Sequence, residues 1–209
     1  MEYLQTAPVA CAIFAITIIT SLLAFSNNNL YGRMMLHPYT VSRGKDIHTI
    51  ITSGLIHRDW MHLFFNMLSF YFFAFGLEPL LGHVQFAILY TVSLILSDMP
   101  TVLKHKDHYS YYSLGASGAV SAVIFSAILY NPLARMVILP IPIPIPAVIF
   151  GVLYLVYCHY ASKYSRDQIN HDAHFYGALS GLIITIIFHH EILPDFWQQI
   201  TMAVSNLGR

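Results

Sequence analysis

The sequence predicts an all-α membrane protein, a single domain over residues 1–209 that crosses the bilayer with six helices. Its 209 residues are 56% hydrophobic and only 10% charged, with a mean hydropathy of +0.60. Soluble domains carry about a quarter charged residues, and this length leaves little room for a separate soluble domain. The net charge is zero, so no basic field favours nucleic acid as a partner. Instead, we expect a lipid bilayer around the molecule.

Six apolar runs account for the predicted spans, which cover residues 8–29, 60–77, 84–103, 114–130, 140–161 and 173–190. The first run is too long for the core of a signal peptide, so we expect it to be retained. In the fifth run, alternating prolines between residues 140 and 146 predict an extended segment, and the helix itself begins near Ala147. We expect only a short tail after residue 190.

An even number of spans places both termini on one side of the membrane. The second, fourth and sixth helices then all begin at the opposite face, and the polar residues of interest lie at those three helix starts. A connection of about thirty residues, 31–59, precedes the second helix, and long loops tend to be functional. Cys11 and Cys158 lie in apolar runs and do not indicate a disulfide framework.

Ser117 stands between glycines at the start of the fourth run. The first backbone N–H groups of a helix are free of helical partners and lie at the positive end of its dipole. Such a position suits a nucleophile whose reaction develops an oxyanion. The alternative is that Gly115 and Gly118 only allow close helix packing.

The second helix carries a polar stripe of His62, Asn66 and Ser69, spaced so that all three share one face. Polar groups are costly in lipid, so this face should point into the bundle or a water-filled cavity. Either the stripe serves chemistry or it makes hydrogen bonds between helices, and the spacing alone does not choose between them.

The sixth helix carries His174, Gly177 and Gly181 on one face. The two glycines predict close approach of another helix, and the histidine lies on the same face as a candidate general base. We therefore predict a dyad of Ser117 and His174, with the oxyanion met by the Ser117 N–H and by His62 and Asn66. Asp172 precedes the histidine by two residues, which on a helix points it elsewhere.

Three motifs of this chain resemble those of the rhomboid family of intramembrane serine proteases. His57-x4-His62-x3-Asn66 resembles the motif of the family's second helix, and Glu78 followed by Gly82 fits that helix's end. The segment 115–118, Gly-Ala-Ser-Gly, is similar to the nucleophile motif GxSG, and 173–181 resembles the motif AHxxGxxxG.

The resemblance implies a six-helix bundle with a water-filled cavity open to one face. It implies cleavage of single-span membrane proteins within or near their transmembrane segments, without a metal or cofactor. By motif position, Ser117 is the nucleophile, His174 the base, and His62 and Asn66 the oxyanion helpers. Family members often carry an aromatic residue four positions after the nucleophile, where this chain has Ser121. Stacking on His174 then needs another ring, of which Phe175 and Tyr176 are nearby examples, or is absent.

Other classes of function would need different sequence features. An inactive rhomboid-like protein would bind membrane clients without cutting them, but both dyad residues are present. The zinc-protease motif HExxH does not occur, and Asp98 is the only carboxylate in a predicted span, where an aspartyl protease needs two. A transporter would often show an internal repeat, and none is convincing. No closed set of metal ligands has the usual spacing, so no metal site is expected.

The sequence gives conflicting signals on orientation. Eight of the ten Lys and Arg residues fall on the face where the even-numbered helices begin, namely Arg33, Arg43, Lys45, Arg58, Lys104, Lys106, Lys163 and Arg166. Short basic loops usually mark the cytoplasmic side, whereas the family resemblance implies an active-site mouth that faces outside. We expect a multi-pass protein of the bacterial inner (cell) membrane with the mouth outside.

Overall fold

A computed structural model describes residues 2–138, 141–165 and 167–207. This described part of the chain is mostly helical and contains one small hairpin. The helices are α1 (Glu2–Thr6), α2 (Pro8–Ser26), α3 (Asn28–Met34), α4 (Pro38–Val41), α5 (Thr49–Thr52), α6 (Trp60–Leu81), α7 (His83–His105), α8 (Ser117–Tyr130), α9 (Ala147–Tyr164), α10 (His171–Phe188) and α11 (Ile192–Leu207). Strands β1 (Arg135–Ile138) and β2 (Ile141–Pro146) pair antiparallel, and a 3-10 turn covers Ser53–Leu55.

Among the described residues, the helices long and apolar enough to cross a membrane are three, α2, α6 and α7. A fourth span is possible if α10 and α11, which meet at a bend of 111°, count as one. Helix α8 has 14 residues, a length of about 21 Å, which is shorter than the roughly 30 Å hydrocarbon core. The count of six spans therefore stays a prediction, while the helical, membrane-type fold is clear.

Helix α8 lies at the centre of the bundle and packs against α6, α7 and α10. Its residues are small or apolar, and most are buried on every side. The surrounding core contains large side chains from α6 and α7, and its fully buried members include Phe70, Leu77, Phe86 and Leu89. Because α8 is central, the residues at its start have a fixed position relative to three other helices.

The contact between α8 and α10 leaves no room for side chains. A Cβ atom at Gly177 would meet the carbonyl oxygen of Gly118, and one at Gly181 would meet that of Ala122. One turn further on, Thr185 Oγ1 donates to Ser126 Oγ at 2.6 Å. Small residues therefore recur every fourth position on both helices, which brings the two backbones together.

Glu78, near the end of α6, forms hydrogen bonds with the start of α2. The residue before α2 is Ala7, whose side chain cannot cap the helix. The fully buried Glu78 carboxyl group accepts instead from the N–H groups of Val9 at 3.1 Å and Ala10 at 2.7 Å, and it contacts His83 Nδ1 at 2.6 Å. It therefore satisfies donors that an uncapped helix leaves free.

Several helix ends differ from the sequence-based expectation. The first span was expected to reach residue 29, but α2 ends at Ser26 because Asn27 caps a separate helix, α3. The fourth begins at Ser117 rather than at residue 114, because Gly115 has a φ of +120°. The sixth begins at His171, where Asn170 caps it, and ends at Phe188. The expected short tail is instead helix α11.

The expected extended segment is present as β2, which precedes α9, although its pairing with β1 was not foreseen. The expected helical boundary near Ala147 agrees with the start of α9. Pro140, the first residue of the predicted fifth span, lies outside the described residues.

Substituting Gly181 with alanine should destabilise the fold, because the new Cβ meets the backbone of α8. We expect Gly181→Ala to lower the free energy of unfolding by about 1–3 kcal/mol. Gly76→Ala is the matched control, because Gly76 also lies within a helix but has open space around it; it should be neutral or stabilising by up to about 1 kcal/mol. Thermal unfolding in detergent micelles measures both, and equal shifts would contradict the close approach.

Candidate active site

A cavity of about 680 Å³ opens at the end of the bundle where α6, α8 and α10 begin. The four residues expected to carry chemistry, Ser117, His174, His62 and Asn66, all line it. Charged side chains of both signs also line it, among them Arg58, Lys104, Asp167 and Asp172. The sequence therefore identified side chains that the fold brings together from three helices.

Ser117 is the first residue of α8. The preceding turn depends on Gly115, whose positive φ disfavours other residues and whose N–H donates to the Ser53 carbonyl at 2.9 Å. Ala116 occupies the position before the helix and has no side chain that could cap it. The first N–H groups of α8 are therefore free of a side-chain cap at the point where Ser117 faces the cavity.

His174 reaches the same cavity because α10 begins level with α8. A Cβ at Gly118 would lie 3.3 Å from the carbonyl oxygen of Ala173 and would also contact Ser97 of α7. Gly118 follows Ser117 and Ala173 precedes His174, so the two backbones approach each other next to both candidate residues. Gly177, one turn further along α10, maintains the same approach.

Tyr154 of α9 supplies the ring beside His174. The two rings are nearly parallel, at 16°, with centroids 6.3 Å apart. The Tyr154 hydroxyl and Ser121 Oγ are 3.0 Å apart and form a hydrogen bond. Ser121, which stands where family members often carry an aromatic residue, thus holds a ring contributed by another helix.

The other ring expected beside His174 is present, but it comes from neither of the two nearby candidates, Phe175 and Tyr176. Phe175 contacts His159 instead, and Tyr176 is largely exposed. Adjacent residues of a helix point to different faces, so neither can reach the His174 ring. The sequence held no signal for Tyr154, because nothing in it relates α9 to α10.

His62 presents a donor to the cavity. Its Nδ1 accepts from the Arg58 N–H at 3.3 Å, so we assign the proton to Nε2. That ring packs on Gly115, where a Cβ would lie 2.9 Å from Nε2. Asn66, one turn on, donates to the His62 carbonyl at 2.9 Å through its amide nitrogen, which carries a second N–H. Both residues can offer N–H groups toward the start of α8.

His57 supports the Gly115–Ala116 turn from behind, a role that the sequence reasoning missed. It is fully buried, and its Nε2 accepts from the Ala116 N–H at 3.5 Å. Its Nδ1 therefore carries the proton and donates to Ser21 Oγ at 3.0 Å, and Ser21 donates to the Leu55 carbonyl at 3.1 Å. This chain of hydrogen bonds requires a neutral imidazole, and burial lowers the pKa of His57 to about 3.

Acid should destabilise the protein through His57. An unfolded histidine has a pKa of about 6.5, so below that pH the unfolded chain gains a proton that the folded state excludes until the pH approaches about 3. The stability from neutral His57 is thus present above about pH 6.5 and falls by about 1.4 kcal/mol per pH unit below it. Thermal unfolding of the parent and of His57→Gln at about pH 7 and about pH 4.5 measures this. The advantage of the parent should shrink in acid, and parallel behaviour would contradict it.

A second group of polar side chains adjoins His174. One nitrogen or sulfur atom from each of Cys158, His171 and His174 lies within 4.8 Å of the others. His171 Nε2 is 3.1 Å from both carboxylate oxygens of Asp167. A hydrogen bond from the Ser165 hydroxyl, followed by one from the Ile169 N–H, lowers the pKa of Asp167 to about 2. The sequence shows no closed ligand set of the usual spacing, because Cys158 comes from a different helix.

Asp98 is buried in α7 and is not among the residues that line the cavity.

Asn170 and Lys104 connect two helices at the cavity's edge. The Asn170 amide nitrogen donates to Thr101 at 2.8 Å and its oxygen caps α10, while Lys104 forms an ion pair with Asp172 at 2.6 Å. These contacts attach the start of α10 to α7.

The fold and the site define a class: a helical, multi-pass membrane protein with a polar cavity at one end of its bundle. Residues 44–191 match the family model of the Rhomboid domain, and the chain belongs to the rhomboid family. The chain is 28% identical over 141 residues to "Putative rhomboid protease YdcA" of Bacillus subtilis (strain 168), covering 66% of this chain and 65% of that protein.

A second relative is "RHOMBOID-like protein 12, mitochondrial" of Arabidopsis thaliana, 27% identical over 147 residues, or 63% of this chain and 44% of that protein. The matches span less than two thirds of either relative's length.

Proposed function

We propose that this protein is an intramembrane serine endopeptidase that cleaves single-span membrane proteins within or near their transmembrane segments. The observation that carries this proposal is the cavity that collects Ser117, His174, His62 and Asn66 at one end of the bundle. Membership of the rhomboid family supports it. No metal or cofactor takes part in the proposed reaction.

In the proposed reaction, Ser117 Oγ attacks the scissile carbonyl carbon while His174 accepts the hydroxyl proton. The carbonyl oxygen becomes an oxyanion, and the Ser117 N–H, His62 Nε2–H and Asn66 amide donate to it. His174 then gives its proton to the leaving amine, and the peptide C–N bond breaks to leave an acyl enzyme. Water repeats the sequence with His174 as base, which releases the carboxylic acid and restores Ser117.

Close packing around His174 supports its role as the base. Tyr154 lies parallel to one face of its ring, and the contacts of Gly177 and Gly118 hold its helix against α8. A base whose ring is held in place loses less entropy when it takes up a proton in the reaction.

The rival function is that of a catalytically silent rhomboid-like protein that binds membrane clients. It would use the same cavity without the attack by Ser117.

Cleavage of a single-span reporter protein by purified enzyme in detergent tests the dyad. Ser117→Ala and His174→Ala should each lose about 10³-fold or more in rate, because each removes a reacting group. His62→Ala should lose about 10²-fold, as expected for one oxyanion donor. Ser205→Ala and His190→Ala are matched controls in exposed positions and should cut as the parent does.

Undiminished cutting by Ser117→Ala would contradict the proposed dyad. If the parent cuts no reporter, a serine-reactive activity probe decides between the two functions. Labelling of the parent at Ser117, and not of Ser117→Ala, would support the enzyme. Absence of labelling at Ser117 would support the client-binding protein.

We also propose that the protein resides in a bacterial inner (cell) membrane with its cavity facing outside. The basic residues at the cavity end argue for the opposite orientation by the positive-inside rule. Arg166 of this basic group and Arg209 at the opposite face lie outside the described residues. The family relationship favours the outward orientation.

A cleavable tag at the C-terminus distinguishes the two orientations. The outward orientation of the cavity places the C-terminus in the cytoplasm if the span count is even. Protease added to intact cells should then leave the tag uncut, and permeabilised cells should lose it. Removal of the tag from intact cells would reverse the orientation.

A further inference from the structure

The cluster of Cys158, His171 and His174 adjoins the cavity, and its first two members are buried. Cys158 is fully buried in α9, and His171 exposes only 4% of its surface at the start of α10. One donor atom from each residue lies within 4.8 Å of the other two. A thiol and two imidazoles from adjoining helices therefore converge on one point, and the proposed reaction uses only His174.

His171 is held in the form that binds metals. Its Nε2 faces both oxygens of the Asp167 carboxylate at 3.1 Å, which assigns the proton to Nε2. Its Nδ1 then carries a lone pair, and this buried atom has no hydrogen-bond partner among the described residues. Metal-ligating histidines commonly donate their second nitrogen to a carboxylate in this way. The unpartnered Nδ1 is an acceptor without a donor, which a cation would satisfy.

The donor set selects a thiophilic divalent cation. One thiolate and two imidazoles match a zinc site with three protein ligands and an open fourth position. Tetrahedral zinc places such ligands roughly 3.3–3.6 Å apart, so small side-chain rotations within the observed limit of 4.8 Å would suffice. His171 and His174 both line the polar cavity, which gives the ion and a fourth water ligand a route from solvent.

We propose that Cys158, His171 and His174 form a regulatory Zn²⁺ site. Binding displaces the Cys158 thiol proton to solvent and joins the thiolate and one nitrogen of each imidazole to the ion. A neutral imidazole has a single lone pair, so His174 cannot both bind zinc and accept the Ser117 proton, whichever of its nitrogens the ion uses. Zinc therefore inhibits the enzyme reversibly; this consequence rests on the proposed function, whereas binding does not.

Co²⁺ loading of the full-length protein in detergent tests the site without reference to activity. Cobalt bound by a thiolate gives a charge-transfer absorption band, and added Zn²⁺ should abolish it by displacement. The band should be lost in Cys158→Ser and kept in Cys11→Ser, the matched control at the chain's other cysteine. Asp167→Ala, a change in an exposed loop, should weaken binding about 10- to 100-fold.

Absence of the band in the parent protein, or its persistence in Cys158→Ser, would overturn the site. The parent measurement decides this even if a variant fails to fold. In the cleavage assay, Zn²⁺ should inhibit the parent and Cys11→Ser, and at least about tenfold more zinc should be needed for Cys158→Ser. Full activity of zinc-saturated parent would overturn the inhibition. A parent that binds zinc but never cuts would refute the proposed function and leave the site standing.

Discussion

The backbone contact between α8 and α10 is the constraint on which the site depends. In lipid there is little hydrophobic force between helices, so their association depends on close packing and interhelical hydrogen bonds. Gly118, Ala122 and Ser126 on one helix face Gly177, Gly181 and Thr185 on the other, with a repeat of four residues on each. Because the repeat begins at the cavity, the same contact that holds the helices together brings Ser117 and His174 to one level.

Polar anchors then fix the parts that packing alone would leave loose. His57 holds the turn before α8, Asn170 and Lys104 attach the start of α10 to α7, and Glu78 caps α2 from the end of α6. Each of these anchors joins segments far apart in sequence. His57 and Glu78 are fully buried and also satisfy donors that would be costly in a low-dielectric interior. The cavity can therefore stay open and polar while the helices around it remain fixed.

The sequence predicted the helical membrane fold and the residues that line one cavity, because helical periodicity fixes which side chains share a face. It could not predict Tyr154 or Cys158, since both reach the site through α9, whose sequence carries no pattern relating it to α10. Helix ends were also missed. They depend on single residues such as Asn27, which caps α3, and Gly115, whose backbone conformation delays the start of α8.

The alternating prolines of β2 have a consequence for how the chain meets other chains. In an antiparallel pair, alternate residues of a strand direct their backbone groups to the partner and to the outside. Ile145, opposite Met136, carries the N–H group that pairs with β1. Pro144 and Pro146 on either side of it therefore direct their backbone to the outer edge, where they offer carbonyl oxygens and no donor. A third strand could not complete a ladder there. The β2 edge of the hairpin is thereby protected against edge-to-edge association with neighbouring proteins.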